Sequence, residues 1–168
     1  MISRNDALTI IDALAGLTLI AGRLEIISNT ALTNINALSG LTAIPGTLQI
    51  SYNASLTNID GLSGLTSIAG TLVISFNNAL INIDGLSGLT SITGTLYIRW
   101  NSQLDDCCNL VPLLNSSGDI SIQSNSNSCS SEAAILDADC GIQVSYETQP
   151  PCIGGANGRI KMLSLIHI

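Results

Sequence analysis

The stretch Leu56-Thr57-Asn58-Ile59-Asp60-Gly61-Leu62-Ser63-Gly64-Leu65-Thr66-Ser67-Ile68-Ala69-Gly70-Thr71-Leu72-Val73-Ile74-Ser75-Phe76-Asn77 decides the fold, because the chain writes it again 24 residues later. Units 55–78 and 79–102 are identical at 17 of 24 positions, and segments 7–30, 31–54 and 103–126 align with them without a gap. Glycine recurs at Gly22, Gly46, Gly70, Gly94 and Gly118, and asparagine at Asn29, Asn53, Asn77, Asn101 and Asn125. In Gly46-Thr47-Leu48-Gln49-Ile50 the apolar residues alternate, which marks a short strand with one buried face. A second apolar stretch, Leu41 to Ile44 or Leu65 to Ile68, supplies another side of the unit. A unit this small cannot bury its own apolar set, so stacked neighbours must do so. The expectation is an all-β solenoid of five coils over residues 7–126, a rod roughly 24 Å long at ~4.8 Å per strand.

Each column has a physical reading. The glycine before each strand serves a corner needing either a positive φ or a close neighbouring backbone. The asparagines at Asn29, Asn53, Asn77, Asn101 and Asn125 are read as an inward structural ladder, each amide satisfying backbone groups at the corner. The column Asp12, Asn36, Asp60, Asp84 reads as a turn, since Asp-Gly is a common turn pair. Its competing readings are a weak calcium contribution and catalysis.

Composition narrows the function classes. Five Lys and Arg stand against 12 Asp and Glu, a formal charge of −7. A phosphate-backbone binder needs clustered positive charge, so nucleic acid is not an expected partner. Gly61 to Ile83 carries no charge over 23 residues, which meets the ~20-residue length of a membrane helix. The window contains Asn77, Asn78 and Asn82 and repeats beyond its own limits, so membrane insertion is not expected there. No Gly-rich phosphate loop or nucleophile elbow occurs, and no cofactor or metal is expected.

Unit five keeps the frame but changes its content. Cys107 replaces the column of Ile35, Ile59 and Ile83, Cys108 that of Asp60 and Asp84, and Pro112 that of Gly64 and Gly88. Terminal repeats must differ because they lack a covering neighbour. Residues 127–162 read as a cysteine-containing cap and tail, with a short helix at Ser131 to Leu136 N-capped by Ser130 or Ser131. All five cysteines, at 107, 108, 129, 140 and 152, lie outside the first four units. If the chain is extended, Cys107 and Cys108 point to opposite faces. The expected pairs are Cys108–Cys129 and Cys140–Cys152, with Cys107 a buried thiol. Of the two sequons, Asn53-Ala54-Ser55 and Asn115-Ser116-Ser117, Asn115 is the better glycan acceptor because Asn53 belongs to the ladder.

Both ends carry a reading of their own. Residues 1–6 are a lead-in or a truncated preceding coil. Leu163-Ser164-Leu165-Ile166-His167-Ile168 matches the translated mosaic end of a transposase sequencing adapter. It is read as an adapter artefact, which removes His167 from consideration and makes the chain a fragment of its gene.

The pattern Gly-x-Leu-x-Ile-x-x-Asn at 24-residue spacing, with Leu-x-x-Ile between, resembles the receptor L-domain. That domain forms the ligand-binding lobes of insulin and epidermal growth factor receptors and occurs in fungal cell-wall and microbial surface proteins. The resemblance covers residues 7–126, and Cys108-Asn109-Leu110-Val111-Pro112-Leu113-Leu114 looks like the end-of-domain segment of microbial members. It implies a right-handed β-solenoid close to leucine-rich repeats, secreted or displayed at the cell surface.

Function is then expected on the strand face. Its outward positions include Glu25, Gln49, Val73, Tyr97 and Ser121, then Ile27, Ser51, Ser75, Arg99 and Gln123. A third column holds Ser28, Tyr52, Phe76, Trp100 and Ser124. Strict alternation sends Tyr52 into the core, whereas the leucine-rich-repeat pattern leaves it at the rim. Both placements stay open at this level. The expected function is a non-catalytic extracellular module for recognition or adhesion. It would bind a protein or glycan near Phe76, Tyr97, Arg99 and Trp100, with further domains of the gene as other partners. The alternatives are a purely structural cell-wall solenoid and, behind it, a polysaccharide-acting β-helix enzyme using Asp60 and Asp84.

Overall fold

The computed structural model describes residues 1–114, 118–138 and 140. Met1–Ala138 form one compact unit, and Asp139–Ile168 cluster as a second. In chain order the strands are β1 (Ile2–Ser3), β2 (Leu24–Ile27), β3 (Ala43–Ile44), β4 (Leu48–Ser51), β5 (Ser67–Ile68), β6 (Leu72–Ser75), β7 (Ser91–Ile92), β8 (Leu96–Arg99) and β9 (Ile120–Gln123). The helices are α1 (Val111–Leu114) and α2 (Glu132–Asp137).

The repeat builds a solenoid-like stack. One parallel sheet has the order β1-β2-β4-β6-β8-β9, and a smaller one the order β3-β5-β7. Every pairing steps by one unit, so Leu24 faces Leu48, Leu48 faces Leu72, Leu72 faces Leu96 and Leu96 faces Ile120. Inward residues of the middle coils, such as Leu56, Ile59, Leu62, Leu65, Ile68, Leu72 and Ile74, are fully buried. Residues 1–6 join the same register: Ile2 pairs with Ile26, adding a sixth strand to the large sheet.

The all-β, leucine-rich β-solenoid expectation is corrected by this structure. Among the described residues both sheets are open, two short α-helices are present, and each coil contains a 3-10 helix, so the architecture is mixed α/β. The 3-10 helices begin at Asp12, Asn36, Asp60, Asp84 and Cys108. Side chains two residues upstream explain four of these starts, Asp106 Oδ1 accepting from the Cys108 N–H at 3.2 Å in the fifth coil. The Oδ1 atoms of Asn34, Asn58 and Asn82 each accept a hydrogen bond at 3.2 Å from the backbone N–H of residue 36, 60 or 84. Such local bonds offer the backbone a turn in place of a strand ladder. In coils three and four stacking also excludes a side chain at the turn: a Cβ on Gly61 or Gly85 would lie 1.9 Å from the carbonyl oxygen of Ile35 or Ile59. The second apolar stretch supplies two-residue strands in coils two to four. Close backbone approach also accounts for Gly70, where a Cβ would lie 2.7 Å from Gly46 without any positive φ.

The fifth coil is closed by the segment that follows it. Ser131 caps α2, its Oγ accepting from the Ala134 N–H at 3.1 Å, and Ile135 is buried. The cysteine pairing differs from expectation: Cys107, not Cys108, is bonded to Cys129, across Cα atoms 5.6 Å apart. Cys107 continues the inward isoleucine column, whereas Cys108 opens a 3-10 helix and is only half-buried. The inward thiol thus meets Cys129, which is fully buried at the end of the 3-10 helix Asn127–Cys129. Cys108 and Cys140 each take part in a disulfide as well. The expected partner Cys152 and the sequon residue Asn115 lie outside the described residues, as does the segment 163–168.

Among the described residues, no helix is long and apolar enough to cross a membrane. The uncharged window Gly61 to Ile83 spans coil segments that include β5 and β6.

Candidate functional site

One backbone feature at the end of each long strand creates the site. Arg4, Ser28, Tyr52, Phe76, Trp100 and Ser124, spaced by 24, all hold φ between 55° and 60°. An L-residue in this left-handed region costs about 1–2 kcal/mol, and a β-branched one fares worse. None of the six is β-branched, in a chain otherwise rich in Ile and Thr. The bend breaks the strand's alternation and lets the next residue, asparagine, turn inward. Tyr52 and Trp100 are consequently exposed, at 50% and 41% of their surface, and Phe76 is half-buried. The core placement of these aromatics does not occur.

The three rings form a continuous stack along the coil axis. Tyr52 and Phe76 have centroids 4.5 Å apart with planes inclined by 7°, and Phe76 and Trp100 are 4.7 Å apart at 18°. The spacing is the coil-to-coil spacing itself, so the repeat converts a sequence column into a ring stack. Such pairs contribute about 0.5–1.5 kcal/mol beyond their burial, which offsets part of the left-handed cost.

Arg99 and Tyr97 stand beside the stack on β8. The Arg99 guanidinium carbon lies 4.8 Å from the Tyr97 ring centroid and 5.9 Å from that of Trp100. Its Nη2 donates to the Ser121 hydroxyl of the next coil. Its Nε is buried and has no hydrogen-bond partner. Arg23 and Glu25 make the one ion pair found among the described residues. Arg99 therefore presents a cation balanced by rings and a hydroxyl, with no carboxylate.

Behind the aromatics runs the asparagine ladder. Asn53 N–H and Nδ2 donate to Asn77 Oδ1 at 3.1 and 3.2 Å, and Asn77 repeats both bonds to Asn101. Each Nδ2 also donates to a carbonyl 27 residues back, Ile26 for Asn53 and Ile50 for Asn77. Asn29 and Asn101 make the same contacts, and Asn125 ends the column by donating to the Cys129 carbonyl. Asn53, fully buried here, is closed to a glycan. Sequence reasoning missed one rung: Asn5 donates from its backbone and its Nδ2 to Asn29 Oδ1. The signal was present, since Ile2 and Asn5 stand 24 residues before Ile26 and Asn29.

The aspartate column sits at the starts of the 3-10 helices on another side of the coil. Asp84 Oδ1 accepts from Asn109 Nδ2 at 2.8 Å, and the Asp60 N–H is tied to Asn58. Among the described residues, no three His, Cys, Asp or Glu side chains gather as a metal site. An apolar depression of about 450 Å³ opens at the first coil, lined by Ile2, Leu8, Ile10 and Leu14 among others. No protein-family model, curated protein or solved structure matches the chain.

Proposed function

We propose that this protein is a non-catalytic recognition or adhesion module that works outside the cell and meets its ligand at the strand-face rim. The observation that carries the reading is the exposed ring stack of Tyr52, Phe76 and Trp100, flanked by Tyr97 and Arg99. Aromatic and arginine side chains are the groups that dominate binding energy at interfaces. The Cys107–Cys129 bond supports an oxidising compartment. The 24-residue pattern that resembles receptor L-domains supports the same use of a strand face. Polar groups that recur with the repeat behave as scaffold, while catalytic groups are usually unique and mutually oriented.

A glycan and protein array probed with residues 1–162 tests this directly. A ligand should protect Trp100, the only tryptophan, from acrylamide quenching. Trp100→Ala should weaken binding by roughly 2 kcal/mol or more and leave the fold intact. Glycan turnover abolished by Asp84→Asn would instead establish an enzyme.

A second reading, a structural spacer, is favoured by one observation. The rings cover one another's faces, so they also hold the coils together. On that reading Trp100→Ala lowers stability and no array feature is bound.

A further inference from the structure

We infer that the ligand is an acidic pyranose within a largely neutral glycan, its ring seated on the face of Trp100 above Ser124 and its carboxylate on Arg99. The inference rests on the recognition reading above and specifies its ligand. Stacked rings expose edges along the column, so a sugar chain cannot lie flat across all three. Phe76 has both faces covered, by Tyr52 and by Trp100. Trp100 has one face on Phe76 and is still 41% accessible. The next position in the column is Ser124, exposed and with the same left-handed backbone, φ 57° against 55°. Strand pairing keeps the register, with Arg99 opposite Gln123. An aromatic residue at 124 would continue the stack, and serine leaves room there for one ring.

The groups around that space are polar. Arg99 reaches toward the fifth coil to Ser121, and its guanidinium carbon lies 5.9 Å from the Trp100 ring centroid. Gln123 and Ser124 are exposed beside it and can bond sugar hydroxyls. A pyranose has an apolar face for the indole and hydroxyls for these side chains, and a uronate adds a carboxylate for the unpaired cation. The chain's net charge of −7 and the single local cation favour sparse acid groups over a densely charged polymer.

The experiment follows Trp100 fluorescence in the full chain. The probes are a β-linked tetrasaccharide containing one glucuronate and its carboxyl-reduced neutral form. The acidic form should protect Trp100 from acrylamide and bind at least fivefold more tightly than the reduced form. Arg99→Gln should bring the two to equal affinity. Ser124→Phe should extend the stack, keep or raise the unfolding midpoint, and reduce binding of both at least tenfold. Equal binding of both sugars by the unmodified protein, or unchanged binding in Ser124→Phe, overturns the proposal. A protein ligand lost in Trp100→Ala yet unaffected by Ser124→Phe overturns the glycan and keeps the recognition reading. If no array ligand protects Trp100, both fall.

Discussion

Coils 7–30 and 103–126 both lie toward the ends of one stack, yet they solve the end problem differently. In the first, Leu8, Leu14, Leu17 and Ile20 are only partly buried, and Ile10 and Leu19 are exposed. In the fifth, Leu104, Leu110 and Leu113 are fully buried beneath α2 and the Cys107–Cys129 bond. The columns are the same, so burial here is a property of neighbours and not of the residues. The covered end also supports the ring stack, since Arg99 and Asn101 bond to Ser121 and Asn125 of coil five. The aromatic and arginine cluster sits next to the reinforced end.

Truncating one column at both ends should give the largest contrast. Leu110→Ala should cost about 4 kcal/mol, within the usual range for a fully buried leucine. Leu14→Ala, half-exposed at the start, should cost about 1 kcal/mol because less area leaves water there. Equal losses in chemical denaturation would show that coil one is shielded as well as coil five.

Removing the covalent clamp should bring the two ends closer. Cys107→Ile with Cys129→Ala restores the column's own residue and deletes the bond. It should lower stability by about 3 kcal/mol for a loop of this size. Hydrogen exchange should then rise in coil five toward the level of coil one. Unchanged protection in coil five would assign the shielding to α2 alone.

The ladder gives a smaller, graded comparison. Asn101→Ala strands the buried Asn77 N–H and the Ile74 carbonyl. It should cost about 2–3 kcal/mol, since each unsatisfied buried group costs about 1–3 kcal/mol. Asn5→Ala, at an exposed rung, should cost only a few tenths of a kcal/mol, as surface substitutions usually do. A matched loss at both positions in thermal unfolding would mean that the first rung is as essential as the fifth.

The smallest effect is a repair. Ile10 occupies the column of Asn34, Asn58, Asn82 and Asp106, whose side chains close the turn of each later coil. Ile10→Asn should add that bond, stabilise coil one by about 0.5 kcal/mol, and reduce its apolar surface. A destabilised variant would show that Ile10 packs more usefully than its exposure suggests.

The repeat length, the register of the large sheet and the inward leucine and isoleucine columns were legible in residues alone, because a strict period leaves stacking only one alignment. The 3-10 helices were harder to read. Leu-Thr-Asn-Ile-Asp-Gly-Leu carries both an apolar rhythm and a turn-forming Asn and Asp, and the bond from the Asp60 N–H to Asn58 Oδ1 shows that the turn wins. The cysteine partners were undetermined for a similar reason. Adjacent thiols point apart in an extended chain, and which one faces Cys129 depends on where the cap folds back. The aromatic column shows the division most clearly. Its avoidance of β-branched residues is written in the sequence, but the left-handed bend that turns Tyr52, Phe76 and Trp100 outward recurs after all six stacked strands of the large sheet. Periodicity determined which residues share a column; the stacked backbone decided which way each column faces.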